Sequence, residues 1–122
     1  MRVTITILLL IVSVIHLLPL IGVLGEKQLA SLYDLPFEEP NLAILMRHRA
    51  VLFGLLGVFF LYAAFWPVMQ PLAFIAGFVS VVSFLGLAWQ VGGYNKAIRK
   101  VVIADVIALI CLLGATGLYL LL

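Results

Sequence analysis

The sequence predicts an all-α polytopic membrane protein, with four transmembrane helices in one compact bundle. Three observations predict it. First, 66% of the 122 residues are hydrophobic, only 10% are charged, and the mean hydropathy is +1.34. Soluble domains are roughly 45–50% apolar and about 25% charged, and a chain this short has too little interior to hide the excess from water. Second, the charges are segregated: Arg2 stands alone, seven lie between Glu26 and Arg49, and the last four are Lys96, Arg99, Lys100 and Asp105. Third, the 46 residues from Ala50 to Asn95 carry no charge but contain Pro67 and Pro71. One crossing takes about 20 apolar residues, so this stretch holds two, divided at the prolines.

The spans follow from these gaps. Span 1 covers about 3–24. Its apolar run of about 20 residues exceeds the 7–15 of a signal-peptide core, so it is read as a helix that stays in the membrane. Span 2 covers about 42–66. Glu38, Glu39 and Pro40 precede it, and acids before a helix with proline at its first turn are start signals. The turn Trp66-Pro67-Val68-Met69-Gln70-Pro71 leads into span 3, about 68–91, with Trp66 suited to an interfacial anchor. Gly92-Gly93 reads as the end of span 3, and span 4 covers about 101–122. The loop at 25–41 carries Leu29, Leu32 and Tyr33 at helical spacing, the pattern of a short amphipathic turn at headgroup level.

Lysine and arginine counts set the expected orientation. The 25–41 loop with its flanks holds Lys27, Arg47 and Arg49, and the 92–100 loop holds Lys96, Arg99 and Lys100, against Arg2 alone on the other side. Six against one places both loops in the cytoplasm and both termini outside, in the inner membrane if the cell is a Gram-negative bacterium. Small residues form a stripe on three spans: Ala50, Gly54, Gly57 and Ala64; Ala73, Gly77, Ser80 and Ser83; Ala104, Ala108, Cys111 and Ala115. Such stripes let helix backbones approach closely in lipid.

Polar and ionisable groups inside a bilayer are costly, which makes them functional candidates. His16, Arg47, His48, Arg49, Gln70, Gln90 and Asp105 are the set. Asp105 is the one carboxylate within a span, about four residues or roughly 6 Å from the expected start of span 4. Arg47 and Arg49 enter at the same face, about 200° apart around a helix. The small-residue stripe of span 2 is centred roughly 65° from Arg47 and about 95° from Arg49. Arg47 is therefore expected to face the bundle and pair with Asp105, with Arg49 snorkelling to lipid phosphates. His16 lies mid-span, with Ser13 one turn before it and Pro19 three residues after. Pro19 cannot donate to the carbonyl of Ile15, so a free carbonyl, a hydroxyl and an imidazole are expected near one bend. A buried histidine of this kind either bonds to a neighbouring helix or handles protons or a ligand.

Several chemistries are excluded. Cys111 is the single cysteine, so an internal disulfide or CxxC centre is ruled out. No cysteine, histidine or carboxylate stands at ligand spacing from His16, so no metal is expected. No P-loop, GxGxxG, HExxH or GxSxG occurs, and no cofactor is expected. The few basic residues form no basic aromatic surface, so nucleic acid is not an expected partner.

The stretch Asn41-Leu-Ala-Ile-Leu-Met-Arg47-His48-Arg49-Ala-Val-Leu-Phe-Gly54-Leu-Leu-Gly57, with Val102-Ile-Ala-Asp105, resembles a block in short bacterial four-span proteins of unassigned activity. The plan of four spans with a polar cytoplasmic edge is also loosely similar to DoxX-like proteins. The block covers 17 of 122 residues. Small multidrug-resistance transporters are similar in length, but they use a glutamate in their first span where this chain has His16. Fluoride channels insert in both orientations, against the six-to-one bias here. Membrane glutathione enzymes carry an arginine-histidine-asparagine-glutamate run, which Arg47-His48-Arg49 echoes without the last two residues.

The leading functional expectation is a binding or accessory protein. It would hold a lipid-like molecule or a partner's helix at the cytoplasmic edge, through Arg47, Asp105 and His16, with Arg49 and His48 nearby. A second is an enzyme on a hydrophobic substrate with His16 or Asp105 as acid or base, which needs a cavity joining them. A third is a proton-coupled transporter, for which the charge-free stretch supplies few polar steps.

Overall fold

Four helices carry the chain: α1 (Arg2–Leu17), α2 (Pro40–Phe65), α3 (Gln70–Val91) and α4 (Lys96–Leu121), with a 3-10 turn at Pro67–Met69 between α2 and α3. The computed structural model describes residues 1–20, 30, 33 and 40–122. The expected amphipathic turn at Leu29 and Leu32 and the Glu38–Glu39 start signal lie outside the described residues; Tyr33 and Pro40 lie within them. All four helices are long and apolar enough to cross a membrane. Leu45, Leu55, Val79 and Ile110 are among many large aliphatic side chains facing outward. An apolar exterior of this extent is incompatible with water but is the solvated face in lipid. The chain is an integral membrane protein.

Local chemistry sets three of the boundaries. Helix α1 runs to Leu17 and ends ahead of Pro19, which has no N–H to give the carbonyl of Ile15; the expected end of span 1 near 24 lies outside the described residues. Residues 18–20 continue as a tighter 3-10 turn. Helix α4 starts at Lys96, five residues before the expected 101, because Asn95 caps it: Oδ1 accepts from Ile98 N–H at 2.8 Å. Asp105 thus lies nine residues past the first residue of α4, about 14 Å along it rather than 6 Å. Helix α3 ends at Val91 as expected, with Gly92 and Gly93 at φ 67° and 65°. Side chains with a Cβ rarely adopt that left-handed region.

Helix α1 packs against both α2 and α4, and α3 packs against α4. Helices α2 and α3, although consecutive and joined by a short turn, touch much less. The bundle is therefore closed along α2–α1–α4–α3 and open between α2 and α3. The core is Ile5, Leu9 and Val12 of α1, Phe60 of α2, Val81 of α3 and Leu112 of α4.

The small-residue stripe of α2 sets the tightest packing. Ala50, Gly54, Gly57 and Ala64 are all buried. Opposite them, Thr6 Oγ1 donates to the Ala64 carbonyl at 2.8 Å and Ser13 Oγ to the Gly57 carbonyl at 2.6 Å. The two bonds are seven residues apart on each helix, so they fix an antiparallel register at two successive heptad positions. Both need the α2 backbone close by. A Cβ on Gly57 would lie 2.6 Å from Leu17 Cγ and 3.1 Å from its backbone nitrogen. Gln70, at the start of α3, donates to the Ala63 carbonyl at 3.1 Å and ties the turn to α2.

Gly57→Ala is expected to lower stability by about 1–3 kcal/mol, the usual cost of overpacking, read as a lower midpoint for unfolding in detergent. Gly86→Ala, where a Cβ meets nothing within 4 Å, is expected to leave the midpoint unchanged or raise it slightly.

Candidate functional site

Of the two histidines, the one in α1 is fully inside. His16 is 2% exposed. Its Nδ1 lies 2.9 Å from the Val12 carbonyl, which can only accept, so Nδ1 carries the proton. In the neutral ring Nε2 then accepts from Ser80 Oγ of α3 at 3.0 Å. Phe60 meets the ring edge-on at 4.8 Å and Phe53 lies tilted at 5.6 Å. His16 thus joins α1 to α3 across the side where α2 and α3 part. Ser13, expected beside it at the bend, turns to α2 instead and does not share a site with it.

The arginine assignment is reversed. Arg47 and His48 are exposed, and Arg49 is the one turned inward. The expectation of an Arg47–Asp105 pair considered the small residues of α2 alone. Phe60 and Ala63 are also fully buried, which widens the inner face. Arg49 lies within roughly 20° of Phe60 around the helix, while Arg47 falls about 60° from Ala50 on the far side. Arg49 does not snorkel to lipid. Its Nη1 donates to the Tyr33 hydroxyl, and its guanidinium sits 4.5 Å from the Phe53 ring centre and 5.9 Å from that of Phe84, within cation–π range.

Tyr33 is itself 5% exposed. It packs with Met46, Ile98 and Val101, and its carbonyl accepts from Asn95 Nδ2 at 2.8 Å. One asparagine therefore caps α4 and anchors the tyrosine that holds Arg49.

Behind Arg49 is a cavity of about 340 Å³. His16 and Pro19 of α1, Arg49 and Phe53 of α2, and Lys100, Ala104 and Asp105 of α4 line it, with Tyr33 at its edge. Asp105 is 6% exposed and lines this cavity. Arg49 is the cation whose charge reaches it. Among the described residues, no hydrogen bond or ion pair engages Asp105 directly. On the other side of Arg49 and Phe53 lies a more open groove of about 520 Å³ between α2 and α3. Leu52, Leu56, Val79 and Leu87 make it apolar, with Ser80 and Ser83 as its hydroxyls. Arg49 and Phe53 line both spaces and form the wall between them.

The structure thus brings together His16, Arg49 and Asp105, and leaves out Arg47, His48, Gln70 and Gln90. Sequence reasoning missed Tyr33, Asn95, Ser80 and Lys100 as parts of the site. Tyr33 had a usable signal, since it is the one residue with both a ring and a hydroxyl in the stripe of the first loop. Among the described residues, no three histidine, cysteine or carboxylate side chains gather as a metal would need. No protein-family model, curated protein or solved structure matches the chain. The site's chemistry is read from its own residues.

His16→Phe keeps an aromatic ring against Phe53 and Phe60 but leaves Ser80 without its acceptor. A double-mutant cycle of His16→Phe with Ser80→Ala is expected to give a coupling of about 0.5–1.5 kcal/mol, the range of interhelical hydrogen bonds in membranes. Additive losses would mean the bond contributes nothing.

Proposed function

We propose that this protein binds an amphiphilic, lipid-like molecule with an anionic group. The headgroup enters the cavity behind Arg49, and the hydrocarbon lies in the groove between α2 and α3. The observation that carries this reading is the position of Arg49. A guanidinium is among the costliest groups to hold at the edge of an apolar bundle, and this one is fixed by Tyr33 and Phe53 on the wall between a cavity lined in part by His16, Lys100 and Asp105 and a groove lined by aliphatic side chains. A phosphate or carboxylate attached to an acyl chain matches both sides. Guanidinium recognises such anions bidentately, and Lys100 adds a second cation on the same cavity.

The enzyme reading stands second. It is favoured by the shared cavity of His16 and Asp105. It is disfavoured because both His16 ring nitrogens are engaged within the fold, by Val12 and Ser80. A general base needs a free nitrogen within hydrogen-bond reach of its proton.

The membrane placement belongs to the same proposal. The loops at 25–41 and 92–100 face the cytoplasm, and the site opens on that side of a bacterial inner membrane. Lys96, Arg99 and Lys100 beside the second loop, with Lys27, Arg47 and Arg49 around the first, support this.

Two measurements test the proposal. Arg49→Gln is expected to lower co-purified lipid, measured by mass spectrometry, about tenfold or more, since a charge-assisted hydrogen bond contributes about 1.5–3 kcal/mol; Arg47→Gln is expected to retain it. Equal lipid content in wild type and Arg49→Gln would sink the binding reading. In a Cys111→Ser background, Tyr94→Cys is expected to react with an impermeant maleimide only in opened cells. Labelling in intact cells would invert the orientation.

A further inference from the structure

The cavity contains more than an anion site requires. A pocket built only for a phosphate or carboxylate would gain from excluding Asp105, because a carboxylate there repels the ligand. Asp105 is instead more than nine-tenths buried on the cavity wall, and no donor among the described residues satisfies it directly. An ionised carboxylate in so apolar a place calls for a hydrogen-bonding partner, and Arg49, the cation whose charge reaches it, makes no hydrogen bond to it among the described residues. The missing partner is a hydrogen-bond donor, best a cation. The cavity thus offers opposite charges to one ligand, with Arg49 and Lys100 for an anion and Asp105 for an ammonium.

We infer that the ligand is zwitterionic: an aminophospholipid whose phosphate meets Arg49 and whose primary ammonium meets Asp105. This rests on the lipid-binding reading above and narrows it to one headgroup class. The same pair of charges occurs in free phosphoethanolamine or an amino acid. The lipid is the source the geometry favours, because Arg49 and Phe53 also border the apolar groove, where a soluble headgroup has nothing to place. A compact ammonium fits this role. A primary ammonium has three donors, enough for both carboxylate oxygens, whereas a choline headgroup has none.

The test uses the full-length protein in nanodiscs of phosphatidylcholine doped with phosphatidylethanolamine or phosphatidylglycerol, with bound lipid counted by native mass spectrometry. Wild type is expected to retain phosphatidylethanolamine over phosphatidylglycerol at least tenfold. Asp105→Asn is expected to bring that ratio near one while lipid remains bound, because the variant keeps Arg49 and loses only the ammonium partner. Asp105→Glu is expected to restore part of the preference, which a purely structural role would not predict. If wild type holds both lipids equally and Asp105→Asn changes nothing, the zwitterion assignment is overturned and lipid binding stands. If wild type holds none of the three lipids, lipid binding itself fails. Ten-millimolar free phosphoethanolamine is expected not to displace the lipid; displacement would overturn the lipid as the source. Circular dichroism and the detergent unfolding midpoint are read alongside, so loss through misfolding is distinguished from loss of the preference.

Discussion

Inside a bilayer no water waits to satisfy a polar group, so each one on these helices must find its partner within the bundle. Helix α1 shows how far that constraint shapes the molecule. Its Thr6 and Ser13 hydroxyls reach carbonyls of α2, and its His16 reaches a hydroxyl of α3. The first two contacts demand a helix face without side-chain bulk, which Gly57 and Ala64 provide. Once α1 and α2 are drawn together, Pro19 lies beside the inner face of α2 and Arg49 has the cavity on its inner side. The site is a consequence of how α1 satisfies its own polar atoms.

A second chain of contacts fixes the other edge. Asn95 begins α4 and holds the Tyr33 carbonyl, and Tyr33 holds Arg49. Helix start, loop position and cation orientation therefore depend on one another. Phe53 and Phe84 add ring faces that a guanidinium meets favourably. Asp105 lies opposite on α4, one helix turn beyond Val101, which packs with Tyr33. The result is a small, mostly apolar volume that holds a few ionisable side chains, where electrostatic interactions are screened little.

The architecture was legible in the sequence because its signals are strong and local. Charge segregation gave the spans, Pro67 and Pro71 gave the division between α2 and α3, and Gly92-Gly93 gave the end of α3. The start of α4 was misplaced because hydrophobicity marks where apolar residues begin, whereas a helix begins where a cap allows it, here at Asn95. His16 and Asp105 were found because any ionisable group in a span stands out. The choice between Arg47 and Arg49 was not legible from small residues alone. It depends on Phe60 and Ala63 being buried, which is a property of how α1 packs against α2. Ser80 and Asn95 carry no sequence signal for the site, since their roles exist only through partners distant along the chain.

The sparse contact between α2 and α3 bears on assembly. Synthesis proceeds from the N-terminus. Here α3 has its main neighbour, α4, still to come when it enters the bilayer. In the interval it is tethered by the proline turn, by Gln70 on Ala63 and by His16 on Ser80. The seam between α2 and α3 is thus a joint left unsealed as the bundle is built, and lipid is present along it from the start. A hydrocarbon chain in that seam would occupy a place that the protein never closed.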